Sequence, residues 1–151
     1  MIVIGIGSNS KAQVADIAAA LAGVQAQIAA QGLERSQYLL VAALRRDEPW
    51  TPEVGRIEAV MDQACLKADR LSWYSQHELQ ARNAECLTRS EASIAAYEIA
   101  SVCEAAALVG AGPGSRLVVP RMVFNNATGA AATMVQSIAE GLSALEKARS
   151  S

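Results

Sequence analysis

Few side chains in this chain are of a type that does chemistry, and they fall in four places. Gly5-Ile-Gly7 follows a short apolar run. Glycines there let a backbone approach a ligand, and free amides at a following helix start favour anions. With Ser8 and Asn9 beside it, this stretch is a candidate ligand-facing turn. Arg45-Arg46-Asp47-Glu48 puts two permanent positive charges and two carboxylates in one short segment, and guanidinium forks suit bidentate capture of carboxylates. Ser101 and Glu104 have the spacing of a capping box, which would also hold a carboxylate at a helix start. Arg121 ends the apolar run Leu117-Val-Val-Pro. Each place also has a plain structural explanation: a tight turn, a loop whose charges pair with each other, a helix cap and a strand end.

Other chemistries have less support. A dinucleotide fingerprint needs a third glycine where Ser10 stands, so an NADP- or other phosphate-ligand-binding Rossmann-like protein is the second reading. Ser8 has no His or Lys nearby in sequence to activate it as a nucleophile. Cys65, Cys86 and Cys103 are far apart, form no C-x-x-C pair and do not cluster with the lone His77. Reduced thiols are therefore expected, with no metal site and no cofactor. A formal charge of −2 argues against nucleic acid as a partner. No apolar run reaches the roughly 20 residues that cross a membrane. The start, Met1-Ile-Val-Ile-Gly, reads as a strand rather than a leader, so a cytoplasmic location is expected.

The elements that must position these residues alternate between strand and helix. Ile2-Val-Ile4 is a strand, Gly5-Ile-Gly7 the turn, and Val14, Ile17, Leu21, Val24 and Ile28 mark a helix over residues 11–31, with Ser10 and Gln13 as its capping box. Residues 38–44 are apolar without alternation, as in an interior parallel strand covered on both faces. A second helix opens at Thr51-Pro-Glu53, with Val54, Ile57, Met61, Ala64 and Ala68 as its buried stripe. Residues 71–74 form a short strand near the sheet edge, Ser75 and Glu78 cap a helix through residue 87 with His77 in its first turn, and residues 88–100 hold a short helix. A helix over 101–109 stops at the Gly/Pro-rich 110–114, and a strand over 116–124 carries Pro120, where ladder pairing must weaken or finish. Asn125-Asn126 turns the chain into a strand over 131–137, and an amphipathic helix covers 138–149. The class is α/β, a three-layer α/β/α sandwich with a mostly parallel sheet, the short path after Phe124 allowing an antiparallel last strand. At 151 residues this is one domain. In such sheets ligands bind beyond the carboxyl ends of the strands, where Gly7, Arg45 and Arg121 fall.

The run Ser101-Val-Cys-Glu-Ala-Ala-Ala-Leu108, the glycine pair at the start, the basic-x-x-Glu step at Arg45 and Glu48, and a strand ending in Arg121 together resemble one family. It comprises CobE and the C-terminal domain of CbiG, and the resemblance spans residues 1–151 as a single free-standing domain of the CobE type. The resemblance implies a protein of cobalamin biosynthesis that binds a corrinoid or precorrin intermediate, as carrier or pathway enzyme. Other enzymes of that pathway are then partners. In fused CbiG proteins the domain accompanies another in opening a lactone ring on a corrin precursor, so lactone hydrolysis is the activity implied if this chain is an enzyme. Arg45 stands where the family usually has Lys, and Ser8 where many relatives have Cys. Corrin precursors carry acetate and propionate arms, which Arg45, Arg46, Arg121 and the glycine turn are suited to receive. Trp50, Trp73 and Met122 are candidates for apolar surface against the ring.

Overall fold

The computed structural model describes residues 2–33, 39–44, 52–63 and 70–134. Its organising strand is β1 (Ile2–Ser8). Alternate side chains of a strand point to opposite faces, so Ile2, Ile4 and Ile6 enter one core while Val3 enters another, sharing its face with Gly5 and Gly7. Around it stand β2 (Leu39–Leu44), β3 (Leu71–Tyr74), β4 (Ser115–Phe124) and β5 (Ala127–Met134). These make one sheet in the order β3-β2-β1-β5-β4. β1 pairs parallel with β2, and β2 with β3, whereas β5 runs antiparallel to both β1 and β4. The sheet is therefore mostly parallel with an antiparallel last strand, and β3 lies at its edge as the sequence predicts.

Helices cover both faces. On one side α1 (Val14–Ala30) contributes Ile17, Leu21, Val24 and Ile28, and α2 (Pro52–Gln63) contributes Ile57, Val60 and Met61. On the other lie α3 (Gln76–Gln80), α4 (Glu91–Tyr97) and α5 (Val102–Ala111), where Leu79, Ala105, Ala106, Ala107 and Leu108 pack with Val3 and Ala132. The result is the three-layer sandwich. No single helix among the described residues is long and apolar enough to cross a membrane.

Several boundaries differ from the sequence reading, each for a local reason. Gly5-Ile-Gly7 is strand, not turn, because β5 pairs with β1 as far as Ser8 opposite Ala127. α1 starts at Val14 with the Gln13 N–H donating to Asp16 Oδ2 at 3.0 Å, since Asn9 Oδ1 takes the Lys11 amide and bends the chain first. The Ser75 and Glu78 capping box forms as predicted, but α3 stops at Gln80 instead of residue 87. Arg82 is drawn away to donate to the Leu108 and Gly112 carbonyls at the end of α5, and Asn83 to the Glu98 carbonyl. The short helix within 88–100 is α4, capped by Ser90 and ended by Glu98 in the left-handed region. β5 begins four residues earlier than the predicted 131. The predicted stripe residues Ala64 and Ala68, Cys65, the strand end over 135–137 and the helix over 138–149 lie outside the described residues.

Pro120 neither ends β4 nor leaves it regular. Register shifts fall between Leu117 and Val119 and between Val119 and Met122, so ten residues of β4 lie against eight of β5. A proline has no N–H for the ladder, and a bulge on an edge strand absorbs it.

Candidate functional site

α5 approaches β1 at contact distance because nothing projects from Gly5. A Cβ there would sit 1.9 Å from the Cys103 carbonyl oxygen and 2.7 Å from the Ala107 nitrogen. The helix itself is narrow on that side, with Ala105, Ala106 and Ala107 all fully buried. This seating brings the start of α5 level with the carboxyl end of β1, where a cleft of about 370 Å³ opens. That volume falls in the range of small-molecule sites, about 300–1,000 Å³.

Gly7, Ser101, Val102 and Thr128 line the inner part of the cleft, and Ala92, Ser93, Ala96 and Tyr97 of α4 one wall. The opposite wall joins Ser8, Asn9 and Ser10 to the turn Asn125-Asn126. It is fastened by the Asn9 N–H donating to the Asn126 carbonyl at 3.1 Å and Asn9 Nδ2 to Asn126 Oδ1 at 3.0 Å. Asn125 takes a left-handed φ of 54°, which asparagine tolerates. A Cβ on Gly7 would come within 2.7 Å of Thr128 Oγ1, so glycine keeps this part of the cleft clear.

Among the described residues Arg121 is the one charged residue in the lining, and no described Asp or Glu lines the cleft with it. Its Nη2 donates to the Arg89 carbonyl at a long 3.4 Å, its buried Nε has no hydrogen-bond partner, and it forms no ion pair among the described residues. A cation held in this way, amid hydroxyls and amides, is suited to a carboxylate or similar anion. Cys103, beneath the cleft, has its thiol pushed up to about 11 by burial, against the opposing hydrogen bonds from Ser101 and Thr128. Cys86 is likewise raised to about 11, first by burial and then by Glu104. Both are free thiols and poor nucleophiles at neutral pH.

The structure brings Gly7, Ser8, Asn9, Ser101 and Arg121 together, five of the residues picked out from sequence. Gly5 lies under α5 instead. Glu104 is wholly buried behind the cleft and makes no capping box, since Ser101 has no side-chain cap bond. Its Oε1 accepts from the Thr88 N–H and hydroxyl, both at 2.9 Å, and its Oε2 from the Arg121 N–H at 3.2 Å. Three donors thus outweigh the one at the helix start. Arg45, Arg46, Glu48 and Trp50 lie outside the described residues. Trp73 and Met122 pack on the α1 and α2 side, as core. Sequence reasoning missed the α4 wall, Asn126 and Thr128. Asn125-Asn126 was legible as a turn, but nothing local marks it as a cleft wall.

The cobalamin synthesis G C-terminus family model matches residues 2–132. Among solved structures, the cobalamin biosynthesis protein ChiG from Agrobacterium tumefaciens str. C58 is 33% identical, with 89% of this chain and 99% of that chain covered and a TM-score of 0.57. CobE, a protein from the cobalamin (vitamin B12) biosynthetic pathway, is 18% identical with a TM-score of 0.69, covering 89% of this chain and 91% of that one, which shows a shared fold. A search of curated proteins returned no match. With its model matched over most of its length and a third of its residues shared with ChiG, the chain belongs to the cobalamin synthesis G C-terminal family of cobalamin biosynthesis proteins.

Proposed function

We propose that this protein binds a corrinoid or precorrin intermediate in the cleft beside Arg121 and hands it on unchanged to another cobalamin-pathway enzyme in the cytoplasm. The observation that carries this reading is an under-bonded arginine in a lining that, among the described residues, holds no acid. An acetate or propionate arm meets that guanidinium, and the hydroxyls and amides of Ser8, Asn9, Ser93 and Asn126 surround the rest. Arg45, Arg46 and Glu48, next in the chain after β2, are further candidates for the arms and the ring edge. Among the described residues no lining residue pairs a nucleophile with a base, which favours binding over turnover. The nucleotide alternative loses its physical basis: Gly5 and Gly7 sit within β1, and α1 starts six residues after Ser8.

Titration with dicyanocobyrinic acid, followed by its visible spectrum, tests the proposal. Binding tighter than about 100 μM is expected, roughly −5.5 kcal/mol. The heptamethyl ester of the same ring should bind less tightly and NADPH not at all. No retention of the acid at that concentration would overturn the proposal. Mass spectrometry of a precursor recovered after incubation separates the roles: an unchanged mass fits a carrier, and repeated conversion to a new mass means an enzyme.

A further inference from the structure

A carboxyl group taken fully out of water is costly, and an apolar residue in its place often serves stability as well. Glu104 is 0% exposed in a helix whose other buried residues are Cys103, Leu108 and alanines, so its retention calls for a task. Its contacts define one. Oε1 grips Thr88 through both the amide and the hydroxyl, and Thr88 precedes Arg89, whose carbonyl is the acceptor for Arg121 Nη2. Oε2 takes the backbone N–H of Arg121 itself. That amide is available because β4 bulges between Val119 and Met122, leaving Pro120 and Arg121 out of the register. One carboxylate therefore fixes the stem of the cleft's arginine and the segment that carries its acceptor.

We infer that Glu104 is a positioning residue, holding the Arg121 guanidinium in the cleft so that it meets an anionic group of the ligand. Glu104 itself is sealed from the ligand and acts only through Arg121. This rests on the reading that the cleft receives a carboxylate, so the test has one readout with ligand and one without.

The ligand-free readout is the Arg121 Nε–H resonance, identified by its loss in Arg121→Lys. Buried in the native protein, it should exchange slowly with water, and in Glu104→Gln at least ten-fold faster, because a carboxamide cannot accept from all three donors. Ile57→Val, a destabilising change in the opposite layer, should leave it alone. The second readout is affinity for dicyanocobyrinic acid. Glu104→Gln should lose about ten-fold, and this loss should vanish in an Arg121→Ala background, since residues acting through one another are not additive. Should Glu104→Gln not fold, Glu104→Asp, one methylene shorter, takes its place in both measurements. An unchanged Nε–H exchange rate, or the same ten-fold loss with Arg121 already removed, would overturn the inference. If the wild-type protein does not bind the acid, the proposed function fails, and the exchange rate still decides the role of Glu104.

Discussion

Gly5→Ala should damage the fold rather than a binding site. The added Cβ would lie 1.9 Å from the Cys103 carbonyl oxygen, where ordinary contact begins near 3.4 Å, and 2.7 Å from the Ala107 nitrogen. Both obstacles are helix backbone, so α5 must retreat from β1 by about 1.5 Å over at least one turn. A gap of even 0.5–1 Å forfeits roughly a quarter to a half of each dispersion contact along the retreating face. Overpacking of this kind costs about 1–3 kcal/mol, and more where backbone must move. The smaller entropy of an alanine-containing unfolded chain offsets at most about 1 kcal/mol. The net loss is about 2–4 kcal/mol, and for a domain of this size each kcal/mol lowers Tm by roughly 2–4 °C. Thermal unfolding followed by circular dichroism should show Tm lower by about 5–15 °C. A Tm within 2 °C of wild type would refute the close-approach account. If that came with lost binding of dicyanocobyrinic acid, Gly5 would belong against the ligand after all.

Gly7→Ala should be milder, about 1 kcal/mol, because its Cβ meets only Thr128 Oγ1, which can rotate aside; the same melts check it. Arg121→Ala should weaken binding of dicyanocobyrinic acid by about ten- to hundred-fold with Tm nearly unchanged, as expected when a charge-assisted hydrogen bond is lost at a half-buried site; an equal loss for the heptamethyl ester would contradict it. The thiol of Cys103 is raised in the folded state from about 9 to about 11, chiefly by burial. Its contribution to stability is therefore complete below pH 9 and is lost as pH rises to 11, where the unfolded chain releases the proton first. Urea unfolding at a series of pH values should show that decline, and Cys103→Ala should make it shallower, leaving the part due to Cys86, whose thiol is raised over the same range.

The layers of this fold were legible because periodicity reports directly on burial. Val14 to Ile28 at steps of three and four made α1, and the unbroken apolar run before Arg45 made an interior strand. What sequence could not show was how far a local signal would be overruled by a distant partner. The glycine pair had the form of a turn, but seven ladder partners on β5, more than 120 residues later, kept it extended. Ser101 and Glu104 had the spacing of a cap, and Glu104 turned instead to Thr88 and Arg121, 16 and 17 residues away. The helix opened by the Ser75 cap was expected to reach residue 87, but it stops at Gln80 and Arg82 donates to the open carbonyls of α5. Gly7 and Arg121 were picked out by the rule that ligands bind at strand ends, Ser8 and Asn9 by standing beside the glycine pair, and Ser101 by its helix-cap spacing, and all five line the cleft. The α4 wall was not picked out, since Ala92, Ser93 and Ala96 are residues that any exposed helix carries.

The motif from Ser101 to Leu108 shows how one short helix ties fold and site together. Ser101 and Val102 line the cleft, the Cys103 carbonyl rests on Gly5, Glu104 clamps the bulge of β4, and the three alanines fill the core. At Gly5 the helix is seated backbone against strand, which fixes its position closely. That arrangement is well suited to holding a fixed set of donors and poorly suited to chemistry that needs a group to move or to exchange protons. The thiol at its start is buried and held protonated, the carboxylate is committed to three donors, and Arg121 is the one cation among the described residues of the cleft lining. Such a site is suited to the role proposed for it, receiving the anionic arms of a ligand on preorganised hydrogen-bond donors.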